Sequence, residues 1–294
     1  MRATDMTTNA TKANTQETNA TKVGRRGLPG VPGLAPGGSA LGPTARRLRA
    51  LARAELTLLI RNRGAVVTAL VVPLVLPLSV RPALDQLDLK KQGLSMGTVL
   101  LTTAIGFSFL FAVYTSLVSA YVARREELVL KRLRTGELSD TEILTGTALP
   151  ATAVGLAQVV VLSVGCAALL HIGAPKAPQL LVPGVLAGLV VSAALAALTA
   201  SVTRTTESAQ VTALPLVLVS MVGSGVAIPA EVLPGRLASV CAFLPLSPAI
   251  RLVRAGWSGQ LSAHEAFGAL ATALAWTIAA VFAVRRWFRW EPRR

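Results

Sequence analysis

Six windows of this chain are apolar for long enough to cross a bilayer as helix, and polar or charged segments separate them. A hydrocarbon core of about 30 Å takes roughly 20 apolar residues in helical form. The windows fall at about 65–80, 96–122, 147–171, 180–202, 209–228 and 265–284. The first is short and carries Pro73 and Pro77. Prolines kink helices but are tolerated in membranes, where neighbouring helices re-satisfy the freed backbone groups. The pattern predicts an all-α integral membrane protein.

Charge supports this class and gives an orientation. Only 15% of the 294 residues are charged and 52% are hydrophobic, whereas soluble domains carry about 25% charged residues. The net charge of +15 would point to nucleic acid in a soluble protein. Here the basic residues sit in loops and tails, where they set topology, so no nucleic-acid partner is expected. With both termini in the cytoplasm, the inner segments collect the arginines of 46–63, then Arg124, Arg125, Lys131, Arg132, Arg134, Arg204 and the basic C-terminal tail. The opposite orientation inverts a bias of roughly three to one. Trp287 and Trp290 then fit an inner-interface anchor. Heavy use of Ala, Arg and Leu with little Lys points to a GC-rich bacterial source, hence a bacterial plasma membrane. Cys166 and Cys241 lie in apolar surroundings and read as structural thiols.

Three regions are expected along the chain. Residues 1–43 are polar and then rich in Gly and Pro, with Thr-Asn-Ala-Thr-Lys occurring at Thr8–Lys12 and Thr18–Lys22. Low hydrophobicity predicts a disordered cytoplasmic tail, and the lack of an apolar core segment argues against a signal peptide. Residues 44–63 place Leu48, Leu51, Ala52, Leu56 and Leu59 near helical spacing among Arg46, Arg49, Arg53 and Arg61. This reads as a basic amphipathic helix lying on the inner membrane surface. Residues 64–290 form the six-span domain.

Two connections carry unusual patterns. Ala123–Pro150 is dense in charge. Leu128, Leu130 and Leu133 recur among those charges, consistent with the second span continuing into the cytoplasm. Ser139-Asp140-Thr141-Glu142 is a Ser-x-x-Glu capping box, and Ile143 and Leu144 follow it. The expectation is a short, capped, apolar-tipped helix at a loop apex, suited to entering a partner's groove. Pro229–Ser262 is too apolar for an ordinary loop and too broken for a span. Val240–Leu244 suits a re-entrant or interfacial helix, and Pro248–Arg254 a second short one. Such backbone must be buried in protein or line a wet cavity, which places this outer element at the exit of a pathway.

Catalytic patterns are missing. The chain contains no Gly-Lys dipeptide and therefore no P-loop. His171 and His264 stand alone, so no metal site is expected. The spans hold no Asp, Glu, Lys or Arg well away from their ends, which disfavours proton coupling. Gln158 is the clearest mid-span polar residue, and an interhelical hydrogen bond is its favoured role. Energy is expected to arrive from outside the chain.

At this point the chain resembles a permease subunit of the type 2 export family of ATP-binding-cassette transporters, which includes drug and polysaccharide exporters. Three features carry the resemblance: the amphipathic segment Arg46–Arg63; Arg125-Glu126-Glu127 followed by Leu130–Arg134 and Leu138-Ser139; and Ser224–Pro229 with Leu233-Pro234-Gly235 and Phe243–Pro248. It implies a half-transporter that dimerises, most simply with a second copy of itself. It also implies pairing with cytoplasmic ATPase subunits that bind ATP and Mg, leaving no cofactor in this chain. By this resemblance Arg132, Leu138, Ser139, Glu142, Ile143 and Leu144 couple to the ATPase, and Arg46, Arg49, Arg53 and Arg61 mark the interface helix. Substrate is expected near the dimer seam, with Phe107, Phe111, Tyr114, Gln158, Met221 and Ser224 as pathway residues. The short Arg81–Ser95 loop leaves no room for a large outer domain. Aromatic content of 4% leaves few rings for stacking sugars, which favours an amphipathic drug-like or lipid-like substrate. The competing reading is a non-transporting membrane anchor or sensor subunit. A lipid-modifying enzyme ranks below it for want of an acid, base or nucleophile cluster.

Overall fold

Residues 75–86, 89, 94–129, 139–169, 172–229 and 232–287 are described by the computed structural model. The expected tail 1–43, the amphipathic helix 44–63 and most of the first span lie outside these residues. Among the described residues the main elements are all helical, and five are long and apolar enough to cross a membrane. Residues 75–85 form helix α1, which includes the last six positions of the expected first span.

Helix α2, Met96–Glu126, is the buried axis of the fold. Ser95 starts it by accepting a hydrogen bond from the Thr98 backbone N–H at 3.1 Å. Its middle, Ser108–Thr115, is wound as a π-helix. In that stretch the hydroxyls of Thr115 and Ser116 both donate to the Phe111 carbonyl, each at 3.0 Å. Up to Thr115 the sequence of α2 is predominantly apolar on every side, as a helix surrounded by others must be. It ends at Glu126, and Leu128 takes a left-handed φ of 59°. The expected continuation of this span toward Arg134 is therefore broken after Glu126; bulky residues rarely adopt that conformation within a helix.

Helix α3, Asp140–Leu169, is 30 residues long. The capping box forms as expected: the Ser139 backbone N–H and hydroxyl donate to Glu142 Oε2 at 2.9 and 2.7 Å, and the Glu142 N–H donates to Ser139 Oγ at 3.3 Å. The expected short helix and the expected span are one element, because Pro150 and the surrounding small residues leave the helix unbroken.

Helix α4, Pro178–Val202, packs against α2, α3, α7 and α8 and is the hub of the molecule. Pro178 opens it at a position whose N–H has no helical partner. Helix α5, Thr206–Gly223, follows a reciprocal Thr205–Ser208 cap and stops short of the expected 228. There the chain bends over residues 224–228, with Gly225 at φ 72°. Helix α6, Gly235–Cys241, keeps no buried residue, whereas α7, Ser247–Ser258, buries ten of its 12. Gly259, at φ 73°, closes α7 with a left-handed cap. Helix α8, Ala263–Trp287, starts from another capping box, between Ser262 and Glu265.

Small residues let these helices close on one another, which is how membrane helices gain packing without a hydrophobic drive. A Cβ on Gly256 would lie 2.8 Å from Leu181 Cα, and one on Gly184 would lie 2.8 Å from Leu252 Cβ. The pair sets the α4–α7 crossing, reinforced by the Ala177 N–H donating to the Gly256 carbonyl at 2.9 Å. Gly188 of α4 receives the Phe109 ring, and Gly155 of α3 receives Val113. The π-wound stretch is thus seated between two glycine notches.

Candidate functional site

One end of the helix bundle gathers the last turn of α2, the first turns of α3 and α5, and the last turn of α4. Arg125 holds it together. Its side chain is fully buried, and its guanidinium donates from Nη1 to the Ala200 carbonyl at 2.8 Å. From Nη2 it reaches the Thr203 carbonyl and the Arg204 carbonyl at 3.3 Å. The last carbonyls of a helix have no helical partner and carry partial negative charge. A guanidinium placed there satisfies both needs. Its planar fork spans several acceptors at once, which an ammonium does not.

The same end is tied twice more. Tyr121 of α2 donates its hydroxyl to the Leu144 carbonyl of α3 at 2.9 Å. Gln210 of α5 donates its side-chain amide to Ser119 of α2 at 3.1 Å. These hydrogen bonds join the start of α3 directly to α2, and α2 to α4 and α5.

The predicted coupling residues divide by exposure. Arg132 and Leu138 lie outside the described residues, as do Arg46, Arg49, Arg53 and Arg61 of the interface helix. Ser139, Asp140, Thr141 and Thr145 are exposed, Glu142 and Leu144 are half-buried, and Ile143 is fully buried. Ile143 faces its own protein and seats the turn, so the surface open to a partner is formed by its polar neighbours.

The six pathway candidates lie along the core. Phe107, Tyr114, Gln158 and Ser224 are buried, while Phe111 and Met221 are half-buried. The rings of Phe107 and Phe111 meet with centroids 6.0 Å apart. Tyr114 shares a 2.9 Å hydrogen bond with Thr199 of α4, so its hydroxyl points to the hub rather than to α5. The structure joins the two phenylalanines and directs the tyrosine elsewhere.

The opposite end of the bundle has its own buried arginine. Arg254 of α7, 4% exposed, donates to the Gly225 carbonyl at 2.8 Å. It pins the bend after α5 to the element before α8. Arg251 of α7 pairs with Glu265 at 2.6 Å on the surface. In sequence Arg125 reads as part of the Arg125-Glu126-Glu127 motif and Arg254 as part of a short helix, and neither reading gives the arginine a buried, carbonyl-binding role. Their position within a turn of an apolar run was the available signal, since an arginine there has helix carbonyls within reach.

Comparison with known families gives one assignment. The model of the ABC-2 type transporter family matches residues 46–257. That range runs from the amphipathic segment to the last turn of α7. No curated protein matches the chain.

Proposed function

The chain belongs to the ABC-2 type transporter family, and from that premise we propose that it exports an amphipathic, drug-like or lipid-like molecule using ATP hydrolysed by a separate subunit. As a family member it is a multi-pass membrane permease component of an ATP-binding-cassette exporter, and family membership implies an ATP-binding-cassette partner. What supports the mechanism is the cytoplasm-side knot built on Arg125. The exposed, capped start of α3 is the docking surface. Pressure on it moves α3, and Tyr121 and Arg125 hand the movement to α2 and α4. Two copies of the chain then reorient a cavity at their seam, where the half-buried Phe111 and Met221 are the candidates best placed to meet substrate. The bend and short helices between α5 and α8 form the outer lip of the path.

The test is affinity purification of the full chain from native membranes in mild detergent, with identification of co-purifying proteins. The expected partner is a P-loop ATPase. A Thr141→Arg, Thr145→Arg variant alters exposed positions of the α3 start and is expected to lose that partner while keeping its own stability. Recovery of the chain without any ATPase, together with no substrate-stimulated ATP hydrolysis after reconstitution, would transfer the assignment to an anchor or sensor subunit.

A further inference from the structure

Helices α3, α4 and α8 leave a cavity of about 770 Å³ between them. It is well within the usual size of a small-molecule site, about 300–1,000 Å³. None of the six pathway candidates lines it, so it is separate from the proposed seam. Its walls are apolar, typified by Leu189 and Ala193 of α4 and Val281 of α8, and its rim carries Asp140 and Arg285. Along α4 the lining runs from Leu186 to Ala197. Eleven steps of helix rise about 16 Å, close to one leaflet of a roughly 30 Å hydrocarbon core. A cavity with the depth of one leaflet and a polar rim at one end has the shape of a membrane lipid.

The rim indicates the headgroup. Arg285 is exposed and makes no side-chain hydrogen bond or ion pair among the described residues, while Asp140 already has an interaction of its own. The available charge is therefore positive. We propose that this cavity holds a phospholipid of the adjacent leaflet, its acyl portion between α3, α4 and α8 and its phosphate against Arg285. The proposal rests on these helices spanning a membrane and is independent of transport. Because Ser139, Thr141 and Thr145 also border the cavity, the lipid buttresses the turn on which the ATPase is proposed to push.

The test is native mass spectrometry of the full chain in mild detergent, with phosphatidylglycerol and diacylglycerol supplied in equal amounts. The parent is expected to retain phosphatidylglycerol in preference to diacylglycerol. Ala193→Phe, which fills the cavity, is expected to lose bound lipid, and Arg285→Gln to lose the preference. Val164→Phe, at an exposed position of α3 that does not line the cavity, is expected to behave as the parent. Equal retention by the parent and a stable Ala193→Phe protein overturns the proposal. If Ala193→Phe does not fold, an unchanged preference in Arg285→Gln overturns it. In protein lacking Cys166 and Cys241, an Ala194→Cys thiol is expected to react with maleimide after delipidation and to be shielded when phosphatidylglycerol returns. A thiol blocked without lipid gives the cavity to residues 44–63 or to a second copy, and the lipid reading fails.

Discussion

Arg125 shows how a charged residue at a membrane boundary can be structural. Hydrogen bonds to charged groups contribute about 1.5–3 kcal/mol each, and removal of this guanidinium takes away the donor to the Ala200 carbonyl of α4 and to the Thr203 and Arg204 carbonyls just beyond it. Arg125→Met is expected to destabilise the protein by about 3 kcal/mol, read from thermal or denaturant unfolding in detergent. Arg125→Lys keeps the charge but not the fork, and is expected to fall between the parent and Arg125→Met. An Arg125→Met protein as stable as the parent would remove the clamp from the mechanism. The glycines give a second contrast. Gly256→Ala forces its methyl group against the backbone of Leu181 and is expected to cost about 1–3 kcal/mol. Gly165, in α3, has nothing within 4 Å of the same added atom. Gly165→Ala is expected to stabilise by about 0.5–1 kcal/mol through helix propensity alone.

At the scale of elements, the cap on α3 and the π-wound centre of α2 differ in how visible they were beforehand. The cap follows from four consecutive side chains, and Ser139→Ala is expected to lower stability by about 1 kcal/mol, measured by thermal unfolding. The π stretch leaves no such trace, because the segment is apolar on every side and offers no periodicity to misfit. Its two hydroxyls on the Phe111 carbonyl were equally silent. Thr115→Val with Ser116→Ala is expected to speed amide hydrogen exchange at this stretch without changing exchange at the ends of α2. The apolar runs located the helices but not their limits. A polar first turn with a proline ten residues on reads as a separate short helix, yet the backbone continues through it. Leu128 reads as helical until its left-handed φ is known. Arg125 was recognisable as part of a motif, but its acceptors lie 75 or more residues away in sequence, where no local pattern reaches.

For the whole molecule, α4 sits at the centre and α5 at an edge. Helix α5 packs chiefly on α2 and leaves Val211, Leu218 and Val222 more than half exposed. A face of this kind is covered by lipid or by another copy. The proposed half-transporter needs the copy, so Leu218→Cys in protein without native cysteines is expected to form an oxidation-dependent dimer on non-reducing gels. Ile278→Cys, on the exposed side of α8, is expected to remain monomeric. Dimerisation through Ile278→Cys alone would place the seam on α8 and exclude Phe111 and Met221 from the path.

Helix α3 extends this to a lever. Its 30 residues make a rod about 45 Å long, and Gly155, where Val113 rests in its notch, stands almost at the midpoint. With a fulcrum there the two arms are equal. A push on the capped end would swing the far end by a similar distance in the opposite direction. Such a rod exchanges neither distance nor force for the other. In the proposed half-transporter it would only reverse the direction of a stroke, closing one mouth of a passage as it opened the other.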